Sequence, residues 1–220
     1  AFVLSLLSPS LLWAHAVAQG DKGYIQAITG IHLTPFDYLG AKHMVTGYDH
    51  ILFLIVLCAI YQLHQWKTLL VLVTAFTVGH SITLALTSFS VMSIKSEVIE
   101  FLIPMTIIAT AIHNLFMKQG SQISGHTRAY WMALFFGFIH GMGFANYFRA
   151  LLIDESSIFI PLLGFNLGIE LGQLFFVLLI VGVAYMVTNW LRMPQRDWNI
   201  FVSGGGFSLA LVLAIENRFW

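Results

Sequence analysis

Gly40 to Leu54 reads GAKHMVTGYDHILFL, and this is the stretch on which the fold turns. Its second half opens an apolar segment that runs on to Tyr61, and His43, Asp49 and His50 stand at the mouth of that segment. An ionisable side chain placed centrally in a membrane-spanning helix costs about 2.5–3.5 kcal/mol on the insertion scale, and such residues usually mark function. Taken alone, the three groups are compatible with a helix cap or a stray ion pair. The rest of the chain argues for more.

The chain has 220 residues, of which 58% are hydrophobic and only 9% charged, and its mean hydropathy is +0.83. Soluble domains carry about 25% charged residues, so this composition belongs to the membrane class. Formal net charge is zero with histidines neutral, which leaves no basic footprint for nucleic acid. The one cysteine, Cys58, lies in an apolar run, so neither a disulfide framework nor a thiolate metal cluster is available. Nine histidines and eight methionines are the unusual part of the inventory. With about 20 residues per span, the length suits one bundle of about six helices.

Residues 1–18, AFVLSLLSPSLLWAHAVA, read as the apolar core and small-residue cleavage site of a signal peptide. Residues 19–46 are mixed in polarity and are expected as an extracytoplasmic segment, partly helical and lying at the membrane surface. Residues 47–220 are expected as the transmembrane bundle, with spans at about 48–64, 67–91, 98–117, 129–150, 157–189 and 199–217. The fifth run is longer than a span needs, so it must tilt, begin as a surface helix, or break near Gly164. The fold expected is therefore all-α, a polytopic membrane bundle of about six transmembrane helices after an N-terminal signal peptide. A periplasmic mature N-terminus puts Lys67, Lys118, Arg128, Arg192 and Arg196 in cytoplasmic loops, and Lys22, Lys42, Lys95, Arg149 and Arg218 opposite. The balance favours that orientation only when the two lysines of the long N-terminal segment are set aside.

Polar groups recur inside the spans. Asp49 and His50 lie in the first, His80 in the second, Glu100 and His113 in the third, His140 in the fourth, and Asn166, Glu170 and Gln173 in the fifth. The last three are four and three residues apart and so share a helix face. His43 and His50 are seven apart, two turns if helix extends that far back. Adjacent Asp49 and His50 point about 100° apart, so the carboxylate suits the role of holding the second nitrogen of a ligating imidazole. Glycines beside His80, His140 and Glu170 permit close helix approach. Imidazole and carboxylate without thiolate suit Ni²⁺, Co²⁺, Zn²⁺ or Cu²⁺, and His50, His80, His140 and Glu170 make a four-ligand set. Interhelical hydrogen bonding and proton relay would use the same groups. Met44 and Met142 beside candidate ligands keep copper open; His15 and His32 could feed metal towards the mouth, while His64 and His126 read as solvated loop residues.

Four stretches in order, GAKHMVTGYDHILFL, TAFTVGHSITLAL, GFIHGMGFA and FNLGIELGQL, resemble the motifs of the HupE/UreJ family of bacterial membrane proteins, over about residues 20–215. The resemblance implies a nickel or cobalt permease of the inner membrane, linked to the maturation of hydrogenase and urease. It carries the family's G-x-D-H onto Gly47, Asp49 and His50, the second-span histidine onto His80, H-G-x-G-F-A onto His140 to Ala145, and F-N-x-G-x-E-x-G-Q onto Phe165 to Gln173. Met44 replaces the proline that commonly follows the first histidine, and His113-Asn114 stands where a Glu-Asn pair is common. Both departures bear on the choice of metal.

The function expected is a multi-pass permease for a divalent transition metal, nickel first and cobalt, zinc or copper after it. Asp49 and His50 receive the ion, with His43 as a mouth ligand. His80, His140 and Glu170 hold it, Asn166, Glu100 and Gln173 orient them, and Ser81 and His113 stand along the path. The partners expected are the metal ion, the lipid bilayer, no nucleic acid, and either metalloenzyme maturation proteins or further copies of the chain. A membrane-embedded zinc hydrolase could use the same His/Asp cluster, although no HExxH pair or GxSxG elbow accompanies it. A non-catalytic membrane subunit with a purely structural polar network is the remaining alternative.

Overall fold

A computed structural model describes residues 34–89, 94–117, 124–151 and 158–220, and all regular structure among them is helical. Seven α-helices follow in order: α1 (Thr34–Thr46), α2 (Tyr48–Cys58), α3 (Trp66–Ser88), α4 (Ser96–Phe116), α5 (Ser124–Leu151), α6 (Phe159–Tyr185) and α7 (Gln195–Glu216). A 3₁₀ turn, Leu63–Gln65, leads into α3, and a π-helical turn, Met186–Trp190, ends α6. The expected signal peptide, and His15 and His32 with it, lie outside the described residues.

Apolar length makes membrane spans of four helices: α3 with its 3₁₀ turn, α4, α6 with its π turn, and α7. The pair α1–α2 passes the same test jointly, bent by 71° at Gly47. Among the described residues, then, four helices, or five spans if the bent pair counts as one, are long and apolar enough to cross a membrane, against about six expected from the whole sequence. The segment read as the first span stops as helix at Cys58; its 11 residues reach roughly 16 Å, half of a bilayer core. Only together with α1 is it long enough. The expected fourth span lies inside α5, where glycines, His140 and Asn146 dilute the apolar run. In α6 the helix continues unbroken through Gly164, and the change of pitch comes instead at Met186–Trp190.

Residues 34–46 do not lie alone at a surface. α1 packs along α6 and buries Phe36, Leu39, His43 and Met44. The contact is made by small residues. On α6, Gly164, Gly168 and Gly172 repeat every four residues, and a Cβ at Gly168 would strike the Asp37 carbonyl of α1. A Cβ at Gly40 would likewise strike the Phe165 carbonyl. The α3–α5 seam is built in the same way: Gly137 lies against the Phe76 carbonyl, and Gly141 against Thr83 Oγ1 and the His80 carbonyl. Without a hydrophobic driving force between helices in lipid, such close backbone approach is the main source of packing energy.

Side chains also complete the backbone hydrogen bonds that helix breaks leave open, as a lipid environment demands. Pro104 inside α4 removes the N–H that would bond to the Glu100 carbonyl; Asn217 Nδ2 donates to that carbonyl at 3.3 Å. Where α2 ends, Asn114 Nδ2 donates to the Val56 carbonyl at 2.6 Å and Gln195 Nε2 to the Ala59 carbonyl at 3.1 Å. Asn199 and Ser203 of α7 close this network through Asn114.

Candidate metal centre

The bend at Gly47 makes the site. In a straight helix His43 and His50 would stand two turns, roughly 10 Å, apart along the axis. Bent, their ring centroids are 4.8 Å apart. His80 from α3 closes on both, at 5.9 Å from His43 and 6.0 Å from His50. His140 from α5 lies 5.0 Å from His50. Four helices thus deliver four imidazoles to one place, exposed by only 5% (His43), 1% (His50), 0% (His80) and 1% (His140). Phenylalanines wall it: Phe53 and Phe76 pack against His140, and Phe144 and Phe165 against His43.

Asp49 organises the centre from its mouth. Its Oδ1 accepts from the His50 backbone N–H at 2.9 Å and lies 2.9 Å from His50 Nδ1. A carboxylate oxygen only accepts, so Nδ1 carries the hydrogen and Nε2 keeps its lone pair. That Nε2 is buried and has no hydrogen-bond partner among the described residues. On the far side, Thr106 of α4 gives its single hydroxyl hydrogen to the Ile103 carbonyl at 2.7 Å. It therefore accepts from His140 Nε2 at 3.1 Å, which leaves Nδ1 of His140 as the lone-pair nitrogen. Carboxylate and hydroxyl orienting two imidazoles is the outer-shell arrangement seen at metal sites.

One ligand atom each from Asp49, His50 and His140 lies within 4.8 Å of the other two, close enough for these residues to share an ion. Their donor chemistry, neutral imidazole nitrogen with one carboxylate, suits a borderline divalent transition metal. A carboxylate among buried imidazole rings also supplies the attraction that a divalent cation needs away from water. Asp49, at 17% exposure, is the member that reaches outward.

Of the residues expected at the site, His43, Asp49, His50, His80 and His140 come together. Glu170 of α6 is not among the described His, Asp and Glu side chains close enough to share an ion. Glu170 Oε1 accepts from Thr74 Oγ1 at 2.7 Å, and Gln173 Oε1 from Thr77 Oγ1 at 2.8 Å, both across the α3–α6 seam. Asn166 is half-buried on the same helix. Ser81 donates to its own helix, to the Thr77 carbonyl at 2.6 Å. Glu100 is exposed in the second turn of α4, and His113 is half-buried towards the other end of that helix. Thr106 was not anticipated; its signal was a threonine at 106 and another at 110 on the helix face that carries His113.

The model of the family described as HupE / UreJ protein matches residues 19–216. This chain belongs to the HupE/UreJ family. Its candidate metal centre thus sits in a membrane protein of a metal-transport-related family, and three of the four stretches that resembled the family's motifs supply every member of that centre, the α6 stretch supplying none. No curated protein and no solved structure matches the chain.

Proposed function

We propose that this protein is a multi-pass inner-membrane permease for nickel, with cobalt as the second choice, whose mature N-terminus faces the periplasm. One observation carries the reading: Asp49, His50 and His140 present ligand atoms within 4.8 Å of one another, from two helices, with both histidines buried. Asp49 receives the ion from the aqueous side and, while bonded to His50 Nδ1, aims Nε2 at it. His43 and His80 offer the next imidazoles, so the ion moves by exchanging one nitrogen ligand for another and never meets lipid. Nitrogen and carboxylate donors with no thiolate support nickel or cobalt over copper(I), and membership of the HupE/UreJ family supports the same pair. Loading of hydrogenase or urease maturation proteins would follow on the cytoplasmic side.

The test is uptake of Ni²⁺ and Co²⁺ into vesicles reconstituted with the purified protein and containing a chelating fluorophore, beside metal analysis of wild type and His50→Ala. Transport predicts saturable uptake and loss of both uptake and bound metal in His50→Ala. A tightly held zinc that does not exchange, with no uptake, would instead favour a hydrolase. Unchanged uptake in His50→Ala would remove the reading altogether.

A further inference from the structure

Below His140 the polar groups do not stop. Thr106 touches His140 Nε2, and Thr110, one turn on, donates to the Thr106 carbonyl at 2.8 Å. His113 follows at the next position of this helix face. Thr110, His113, Asn114 and Tyr61 line a small cavity of about 10 Å³, the least that holds one water-sized particle. Phe53 and Phe136 line it as well. Phe53 stands between the two levels: its ring is 5.6 Å from that of His140 and 6.2 Å from that of Phe136. His113 Nε2 is buried and has no hydrogen-bond partner among the described residues. Tyr61 also lines a wide recess of about 730 Å³ beyond the end of α2, beside His64, Gln62, Asn189 and Arg192.

We propose that His113 is an inner relay site for the divalent metal, reached from the histidine centre along the Thr106–Thr110 face of α4 past the Phe53–Phe136 pair, and emptied by way of Tyr61 into the recess that holds His64. The inference rests on the permease reading and gives it a direction through the protein. The relay lies about 10 Å along α4 from Thr106, too far for direct ligand exchange with His140. The ion therefore crosses the phenylalanine level in a separate step, and that step separates the two ends of the path. A single imidazole with hydroxyl and amide neighbours binds weakly, which suits a station the ion must leave.

Two measurements on the full chain test it. In reconstituted vesicles, His113→Leu should lower Ni²⁺ uptake by about tenfold or more while the affinity of the histidine centre stays within about twofold, and His113→Glu, an oxygen ligand, should recover most of the rate. Uptake by His113→Leu equal to wild type overturns the relay and leaves the permease reading intact. The second measurement does not depend on transport: carbethoxylation of His113 by diethyl pyrocarbonate, followed by peptide mass spectrometry with and without Ni²⁺. Protection of His113 supports a bound ion there even if wild type moves none, in which case the permease reading alone fails. Equal modification with and without Ni²⁺ overturns the relay.

Discussion

Replacing Gly47 by alanine should damage the metal centre while sparing the fold. The backbone at Gly47 has φ −81° and ψ 88°, which alanine adopts without the strain of the left-handed region. The cost is local: a Cβ there would lie 2.7 Å from His50 Nδ1, 3.2 Å from Asp49 Oδ1 and 3.0 Å from the His43 carbonyl. Carbon contacts settle near about 3.5 Å, so the His50 ring must retreat by roughly 0.8 Å. The His50–Asp49 contact of 2.9 Å would then stretch to as much as about 3.7 Å, past the limit of a hydrogen bond. A hydrogen bond to a charged group contributes about 1.5–3 kcal/mol, and loss of such an orienting partner costs about 10–100-fold in metal affinity. Alanine also favours a continuous helix over glycine by about 1 kcal/mol, which pulls in the same direction by opposing the bend that brings His43 to His50. Competition of purified wild type and Gly47→Ala against a chelating fluorophore for Ni²⁺ or Co²⁺ measures the affinity, and a thermal melt in detergent reports the fold. An affinity within twofold of wild type, with an unchanged melt, would refute the claim that this glycine shapes the site.

Other substitutions separate the site from its scaffold. Glu170→Gln keeps an oxygen to accept from Thr74, and Glu170 is not among the described side chains close enough to share an ion, so metal affinity should stay within about twofold; a loss of tenfold in the same competition assay would return Glu170 to the ligand set. Gly141→Ala drives a Cβ into Thr83 Oγ1 and the His80 carbonyl, and should cost about 1–3 kcal/mol as overpacking, seen as a lower melting temperature together with weakened metal binding because His80 is displaced. Asn114→Ala leaves the Val56 carbonyl without its 2.6 Å donor, an interhelical bond of about 0.6 kcal/mol on average and at most about 1.7; the melt should fall by that modest amount while the Ni²⁺ affinity of the histidine centre holds.

Fold class and donor identity were legible in the residues themselves. Apolar runs of span length have helix as their main solution in lipid, because every backbone group must be satisfied within the run. Imidazoles and a carboxylate set into such runs stand out because they are costly there, so His43, Asp49, His50, His80 and His140 could all be picked out before any contact was known. Even the contact between Asp49 and the His50 ring agrees with their adjacency. The bent pair did not follow, since length and apolarity do not show that Gly47 folds α1 and α2 against each other.

Tertiary structure alone decided which donors meet. The 71° bend at Gly47 turns two residues separated by seven positions into neighbours, and no periodicity argument produces it. The spacing of Asn166, Glu170 and Gln173 put them on one face but could not say what that face meets; close packing of α1 on the α6 glycines turns it towards Thr74 and Thr77 of α3. The same limit hid Thr106, an ordinary helix residue until α5 brings His140 to within 3.1 Å of its hydroxyl. Local sequence sets what each helix carries and which face carries it, whereas the rotation and crossing of helices come from long-range backbone contact at glycines. For this protein the stretch from Gly40 to Leu54 holds the first candidate ligands, and the packing of α3 and α5 against it brings His80 and His140 to them.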